Sequence, residues 1–171
     1  MAYKVLNNVS VKDVTSSDLL SLKTDLLVIV INKNTKDKVV NQLAKDVSSH
    51  LKESGSSVLV PNAKSFNAKN VLLVKGFQDS DQIHKLISMY QSIAQKGNQL
   101  KAKDISIMPG TVYPKGKCEM WLIEMVAKTI ESNVYIFSET CSKTAKKPSV
   151  KKLNILVCLL YTSPSPRDQL Q

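Results

Sequence analysis

Between Asp25 and Asn32 stand six consecutive aliphatic residues, Leu26-Leu27-Val28-Ile29-Val30-Ile31. A strand sends successive side chains to opposite faces of its sheet, so an unbroken aliphatic run of this length, mostly β-branched, has no face to offer water. Such a strand must be covered on both sides. In parallel sheets that cover comes from crossover helices, and the run therefore constrains the chain to a layered α/β fold before any other feature is considered.

The rest of the sequence supplies the cover. After a polar loop from Asn32 to Lys36, apolar residues at Val40, Leu43, Ala44, Val47 and Leu51 follow the spacing of one helical face, with Gly55 as the expected stop. Val58-Leu59-Val60 before Pro61 and Val71-Leu72-Leu73-Val74 before Gly76 read as short strands. Asp79 and Gln82 form a capping-box pattern for a second helix carrying Ile83, Leu86, Ile87, Tyr90, Ile93 and Ala94 up to Gly97. Asp104 to Met108 reads as a strand closed by Pro109-Gly110. A third helix is expected from about Cys118 through Ser132, with Trp121, Leu122, Met125, Val126 and Ile130 inward, and a last strand from Lys151 to Val157. Strands alternating with helices predict right-handed crossovers and a three-layer α/β domain: a mostly parallel sheet with helices on both faces.

The final residues break this pattern. Cys158 to Asp168, CLLYTSPSPRD, holds two of the six prolines and the one arginine. The string resembles the in-frame translation of a sequencing adapter, so 158–171 is set aside as a non-native tail and 1–157 is taken as the domain. The expectation is that the natural protein continues past Val157.

About 157 residues suit one core. Aromatic residues make up 5% of the chain, too few for a base-stacking platform. A net charge of +10 permits contact with nucleic acid or an acidic surface, and the densest basic run is Lys143, Lys146, Lys147, Lys151 and Lys152, which surrounds Pro148 and reads as a solvated linker. No apolar run approaches the ~20 residues of a membrane span, and the start of the chain lacks the apolar core of a signal peptide. A reduced, cytoplasmic setting is expected.

No catalytic, cofactor-binding or metal-binding residue is assigned. His50 and His84 are isolated among polar residues and read as surface side chains. Cys118 and Cys141 are far apart, without zinc or disulfide spacing, and read as buried and inert. Gly76 and Gly110 are single glycines, not a phosphate-cradling loop. Asn32-Lys33-Asn34 lies where open α/β sheets place ligands, at the carboxyl end of a central strand, but polar residues are ordinary in such a loop.

The order of segments carries a resemblance. TDLLVIVINKN, then SSHLKESGSSVLVPN, then NVLLVKGFQDSDQ, and finally Tyr135-Ile136-Phe137 followed by a lysine-rich connection to a last strand, resembles the N-terminal domain of the leucyl aminopeptidase (cytosol aminopeptidase) family over roughly Asp13 to Val157. This resemblance implies a macro-like fold without catalytic residues. It further implies a missing C-terminal catalytic domain holding two divalent metal ions, zinc or manganese, that activate water to release amino-terminal residues from peptides. The implied partners are that catalytic domain and further copies in a hexamer, with Trp121 a packing residue. Two other readings stay open: a stand-alone macro-like module for ADP-ribose or a related nucleotide, and a basic nucleic-acid-binding domain built on Lys143 to Lys152.

Overall fold

The aliphatic run of residues 26–31 lies in the interior of a six-stranded sheet. The computed structural model describes residues 8–32, 37–77, 83–110, 114–134 and 149–158. In chain order these form β1 (Asn8–Val14), α1 (Ser16–Ser21), β2 (Leu26–Ile31), α2 (Lys38–Asp46), β3 (Ser57–Pro61), β4 (Asn70–Lys75), α3 (Ile83–Gln99), β5 (Asp104–Met108), α4 (Glu119–Val134) and β6 (Lys152–Cys158). The spatial order is β1-β6-β5-β2-β4-β3. Every neighbouring pair is parallel except β3 with β4.

Burial along β2 follows the two-sided expectation. Leu26, Leu27, Val28 and Ile29 have no exposed surface. Leu26, Val28 and Val30 join the core under α3 and α4, while Leu27 and Ile29 join the core under α1 and α2. Each fully buried side chain of this kind contributes about 1.5–3 kcal/mol, so this strand is among the strongest contributors to the fold. β4 divides in the same way, Leu72 and Val74 to one core, Val71 and Leu73 to the other.

Two elements at the start of the chain were not anticipated. β1 pairs in parallel with β6, Asn8 opposite Lys152 through Val14 opposite Cys158. α1 begins with a capping box: Thr15 Oγ1 accepts from the Asp18 N–H while the Thr15 N–H donates to Asp18 Oδ2 at 2.9 Å. A polar row on the α1/α2 side then locks the register. Ser10 Oγ donates to Asn154 Oδ1 at 2.7 Å, Asn154 Nδ2 donates to Ser106 Oγ at 3.2 Å, and Ser106 Oγ donates to Thr24 Oγ1 at 3.1 Å. A one-residue slip would turn this row into the opposite, apolar core.

The helix boundaries differ from expectation at two places. Asp37 caps α2 by accepting from the Val39 and Val40 N–H groups, but the helix ends at Asp46, not at Gly55. Ser48, Ser49 and His50 are poor helix formers, and successive tight turns replace the helix there while still carrying Leu51 into the core. α3 runs past Gly97 to Gln99. Gly97 is a packing residue rather than a stop: a Cβ there would sit 2.5 Å from Ile105 Cδ1. The turn is made instead by Lys101 at φ 53, with Ala102 N–H donating to the Gly97 carbonyl. The expected capping pair Asp79 and Gln82 lies outside the described residues. In α4, Leu122, Met125, Val126 and Ile130 are buried as anticipated, and Trp121 is half-buried.

Asp25 gathers the starts of three strands. Its carboxylate pairs with Lys69 at 2.7 Å beside β4 and accepts from the Lys103 N–H at 2.9 Å beside β5. The Lys69 ammonium first, and the Lys103 backbone second, hold Asp25 below the usual carboxylate range. A depressed folded-state pKa adds stability that is present above the unfolded value of about 3.9 and is lost as pH falls through the folded value. In thermal melts taken from about pH 5 to about pH 3, Asp25→Asn should therefore lose less stability than the parent chain. Gly97→Ala should cost about 1–3 kcal/mol in urea unfolding, since Ile105 is fully buried and has nowhere to retreat.

Candidate functional site

In open α/β sheets the ligand crevice lies beyond the carboxyl ends of the strands, and here β2, β4 and β5 end side by side. β2 ends at Ile31 and is followed by Asn32; β4 ends at Lys75 and is followed by Gly76; β5 runs through Met108 and Pro109 to Gly110. The Gly76 N–H donates to the Ile31 carbonyl at 2.8 Å, which brings the backbone after β4 against the end of β2.

The two glycines have one structural reason between them. A Cβ at Gly76 would run into Asn32 Oδ1, and a Cβ at Gly110 would run into Asn32 Nδ2. The Asn32 carboxamide thus lies across the end of its own strand, clasped between two positions where any side chain would collide with it. In sequence both are single glycines that follow a strand, and their partnership is a tertiary fact that strand order creates. The available signal was weak: a polar Asn closing one buried strand and glycines just past two others.

Beside this clasp is a pocket of about 230 Å³ lined by Ile31, Asn32, Ala44, Ser48, Leu51, Lys75 and Gly76. Its floor comes from β2 and β4 and its wall from α2 and the turns after it. Lys75 Nζ donates to the Lys52 carbonyl at 2.7 Å, so its ammonium is tied across to those turns. Small-molecule sites generally occupy ~300–1,000 Å³, and this pocket is smaller. The lining includes no carboxylate, imidazole or thiol; its polar side chains are Asn32, Ser48 and Lys75.

The remaining sequence candidates are dispersed. His50 follows α2 and His84 lies in the first turn of α3, both exposed as expected. Cys118 is also exposed, contrary to the buried position expected, because it sits ahead of α4 with its carbonyl accepting from the Leu122 N–H. Trp121 carries Lys117 over its ring at 5.5 Å. Lys33, Asn34, Cys141, Tyr135-Ile136-Phe137 and the lysines 143, 146 and 147 lie outside the described residues. Lys151 precedes β6 and Lys152 opens it, one residue later than expected, and both are exposed. Among the described residues no three His, Cys, Asp or Glu side chains converge, so those residues do not fit the paired metal ions implied for a catalytic domain. Also among them, no helix is long and apolar enough to cross a membrane.

No family model matches the chain, and no curated protein matches it. Solved structures do. A mutant of tomato leucine aminopeptidase superposes with a TM-score of 0.62 at 20% identity, covering 92% of this chain and 33% of that one. A macrodomain from Trypanosoma brucei in complex with ADP-ribose superposes at 0.65 with 13% identity, covering 92% and 66%. The macro domain of ganglioside induced differentiation associated protein 2 superposes at 0.60 with 16% identity, covering 92% and 80%. The chain therefore has a macrodomain-like α/β fold, and it spans about a third of the length of the tomato enzyme it matches.

The clasp gives a direct test of its own geometry. Gly76→Ala should destabilise the chain by about 1–3 kcal/mol in urea unfolding through overpacking. Combined with Asn32→Ala it should cost less than the sum of the two single changes, because the smaller residue vacates the space the new methyl needs. Strict additivity would show that the carboxamide is not what Gly76 accommodates.

Proposed function

We propose that residues 1–157 are the non-catalytic N-terminal domain of a cytoplasmic metal-dependent aminopeptidase of the leucyl aminopeptidase kind, and that 158–171 is a non-native tail. The observation that carries this reading is the clasp. The chain's own Asn32 carboxamide lies at the end of β2 against Gly76 and Gly110, and the pocket left beside it, about 230 Å³, is small for the crevice in which this sheet type seats ligands. The superposition on one third of tomato leucine aminopeptidase and the segment order from Asp13 to Val157 support the same reading. In it, a second domain supplies the two metal ions and the hydrolysis, and this domain contributes to a hexameric assembly around it.

A second reading draws on the 230 Å³ pocket and on the likeness to a macrodomain in complex with ADP-ribose. In that reading the domain stands alone and binds ADP-ribose or a related nucleotide beside Lys75 and Ser48.

One experiment separates them. The source transcript is read across the position after Val157 from primers inside the native region, and the whole frame is expressed. A long continuation with carboxylate and lysine metal motifs, releasing leucine from a peptide amino terminus when zinc or manganese is supplied, is the expected result. A genomic frame that encodes residues 158–171 and stops there overturns it. Calorimetric titration of ADP-ribose then decides the second reading, which is lost if the dissociation constant is weaker than about millimolar.

A further inference from the structure

The opposite rim of the sheet carries a different chemistry. At the amino ends of four adjacent strands the fold gathers lysines that are scattered in sequence: Lys69 before β4, Lys23 before β2, Lys101 and Lys103 before β5, and Lys151 and Lys152 at β6. Backbone hydrogen bonds fix them as neighbours. The Lys69 N–H donates to the Thr24 carbonyl at 3.1 Å, the Lys103 N–H to the Asp25 carboxylate, and the Lys151 N–H to the Lys103 carbonyl at 2.8 Å. All six side chains are exposed. Among the described residues flanking these strand starts stand two carboxylates, Asp25 and Asp104, so six lysines against two aspartates leave four net positive charges. Among the described residues, Lys69 is the one lysine of this group held in an ion pair.

The geometry points to a sequence-independent nucleic-acid-binding surface along this rim, with the lysines contacting backbone phosphates. Four strands at a spacing of about 4.8 Å spread the charges over roughly 14 Å. One nucleic-acid strand presents a phosphate about every 3.4 Å of helix rise, so about four phosphates face the rim, matching its net charge. Lysine gives a mobile point charge, not the planar fork that reads guanine edges, which suits backbone contact and not base readout. An acidic protein partner fits less well, since protein interfaces rely on buried aromatic or aliphatic anchors and the rim offers lysines and short polar side chains. The basic run read from sequence contributes only Lys151 and Lys152 here. Their companions come from 48 to 129 residues earlier in the chain and are joined to them by strand order. The surface lies on the rim away from the clasp and does not depend on the proposed domain assignment.

The test uses the full chain and a fluorescein-labelled DNA duplex of arbitrary sequence, followed by anisotropy. With about four phosphate contacts, affinity should fall about a hundredfold between 50 and 200 mM salt. Changing Lys23, Lys101, Lys103, Lys151 and Lys152 to Gln should remove most of that salt dependence and weaken binding at least about tenfold at low salt. Changing Lys38, Lys45, Lys85, Lys115 and Lys128 to Gln lowers the net charge equally but alters exposed residues off this rim, and should shift affinity by less than about threefold. Acetylation footprinting of the unmodified protein supplies a readout independent of how the variants fold, with the duplex protecting the rim lysines and not the second set. Equal losses in the two variants, uniform acetylation with and without duplex, or displacement of the duplex by polyglutamate as readily as by unlabelled duplex would each overturn the proposal, the last in favour of an acidic polypeptide partner.

Discussion

The absence of any solvent-facing side on β2 is the constraint from which the architecture follows. A strand with apolar residues on both faces cannot lie at an edge and cannot tolerate one open face, so strands must flank it and helices must lie above and below. β4 and β5 take the flanking places, α3 and α4 cover one face, and α1 and α2 cover the other. The polar ends of β2 are used as fully as its apolar middle. Asp25 at the start binds the adjoining strand starts, and Asn32 at the end is clasped between the glycines after β4 and β5.

What the sequence made legible divides along the same line. Burial patterns strong enough to dominate their surroundings, such as 26–31, 71–74 and the stripe of α4, identified elements and their inward residues. Weak or mixed local signals did not. β1 is mostly exposed, Val9 by 42% and Val11 by 53%, with Val14 its one buried residue, so the strand is short of the continuous apolar run that marks β2 and β4. Gly97 and Gly55 resemble helix stops in isolation. Gly97 proved to be a site of close approach to β5, and Gly55, at φ +86, donates its N–H to the Lys75 carbonyl in the turn before β3. The clasp and the lysine rim were invisible for a common reason: each depends on which strands are neighbours, and the order β1-β6-β5-β2-β4-β3 is not written in any local window.

The two rims of the sheet are thus chemically unlike. One ends in glycines and a carboxamide folded onto itself beside a small, largely apolar pocket, while the other presents mobile cations. A parallel sheet makes such polarity easy to build, since every parallel strand begins at one rim and ends at the other, and residues flanking strand starts accumulate on a single side. Five of the six strands here share that direction.

The pairing of β1 with β6 has a temporal side. Ser10 and Asn154 meet across 144 positions of sequence, so the nascent chain must hold β1 without its partner until β6 has been made. At ~5–20 residues per second that wait is roughly 7–30 s, long compared with the microseconds to seconds in which elements collapse. The interior strands β2, β4 and β5 can assemble with their helices during it, leaving Val9 and Val11 on an unpaired ribbon that any competing strand edge could capture. The pace of translation therefore sets how long this strand waits for its partner.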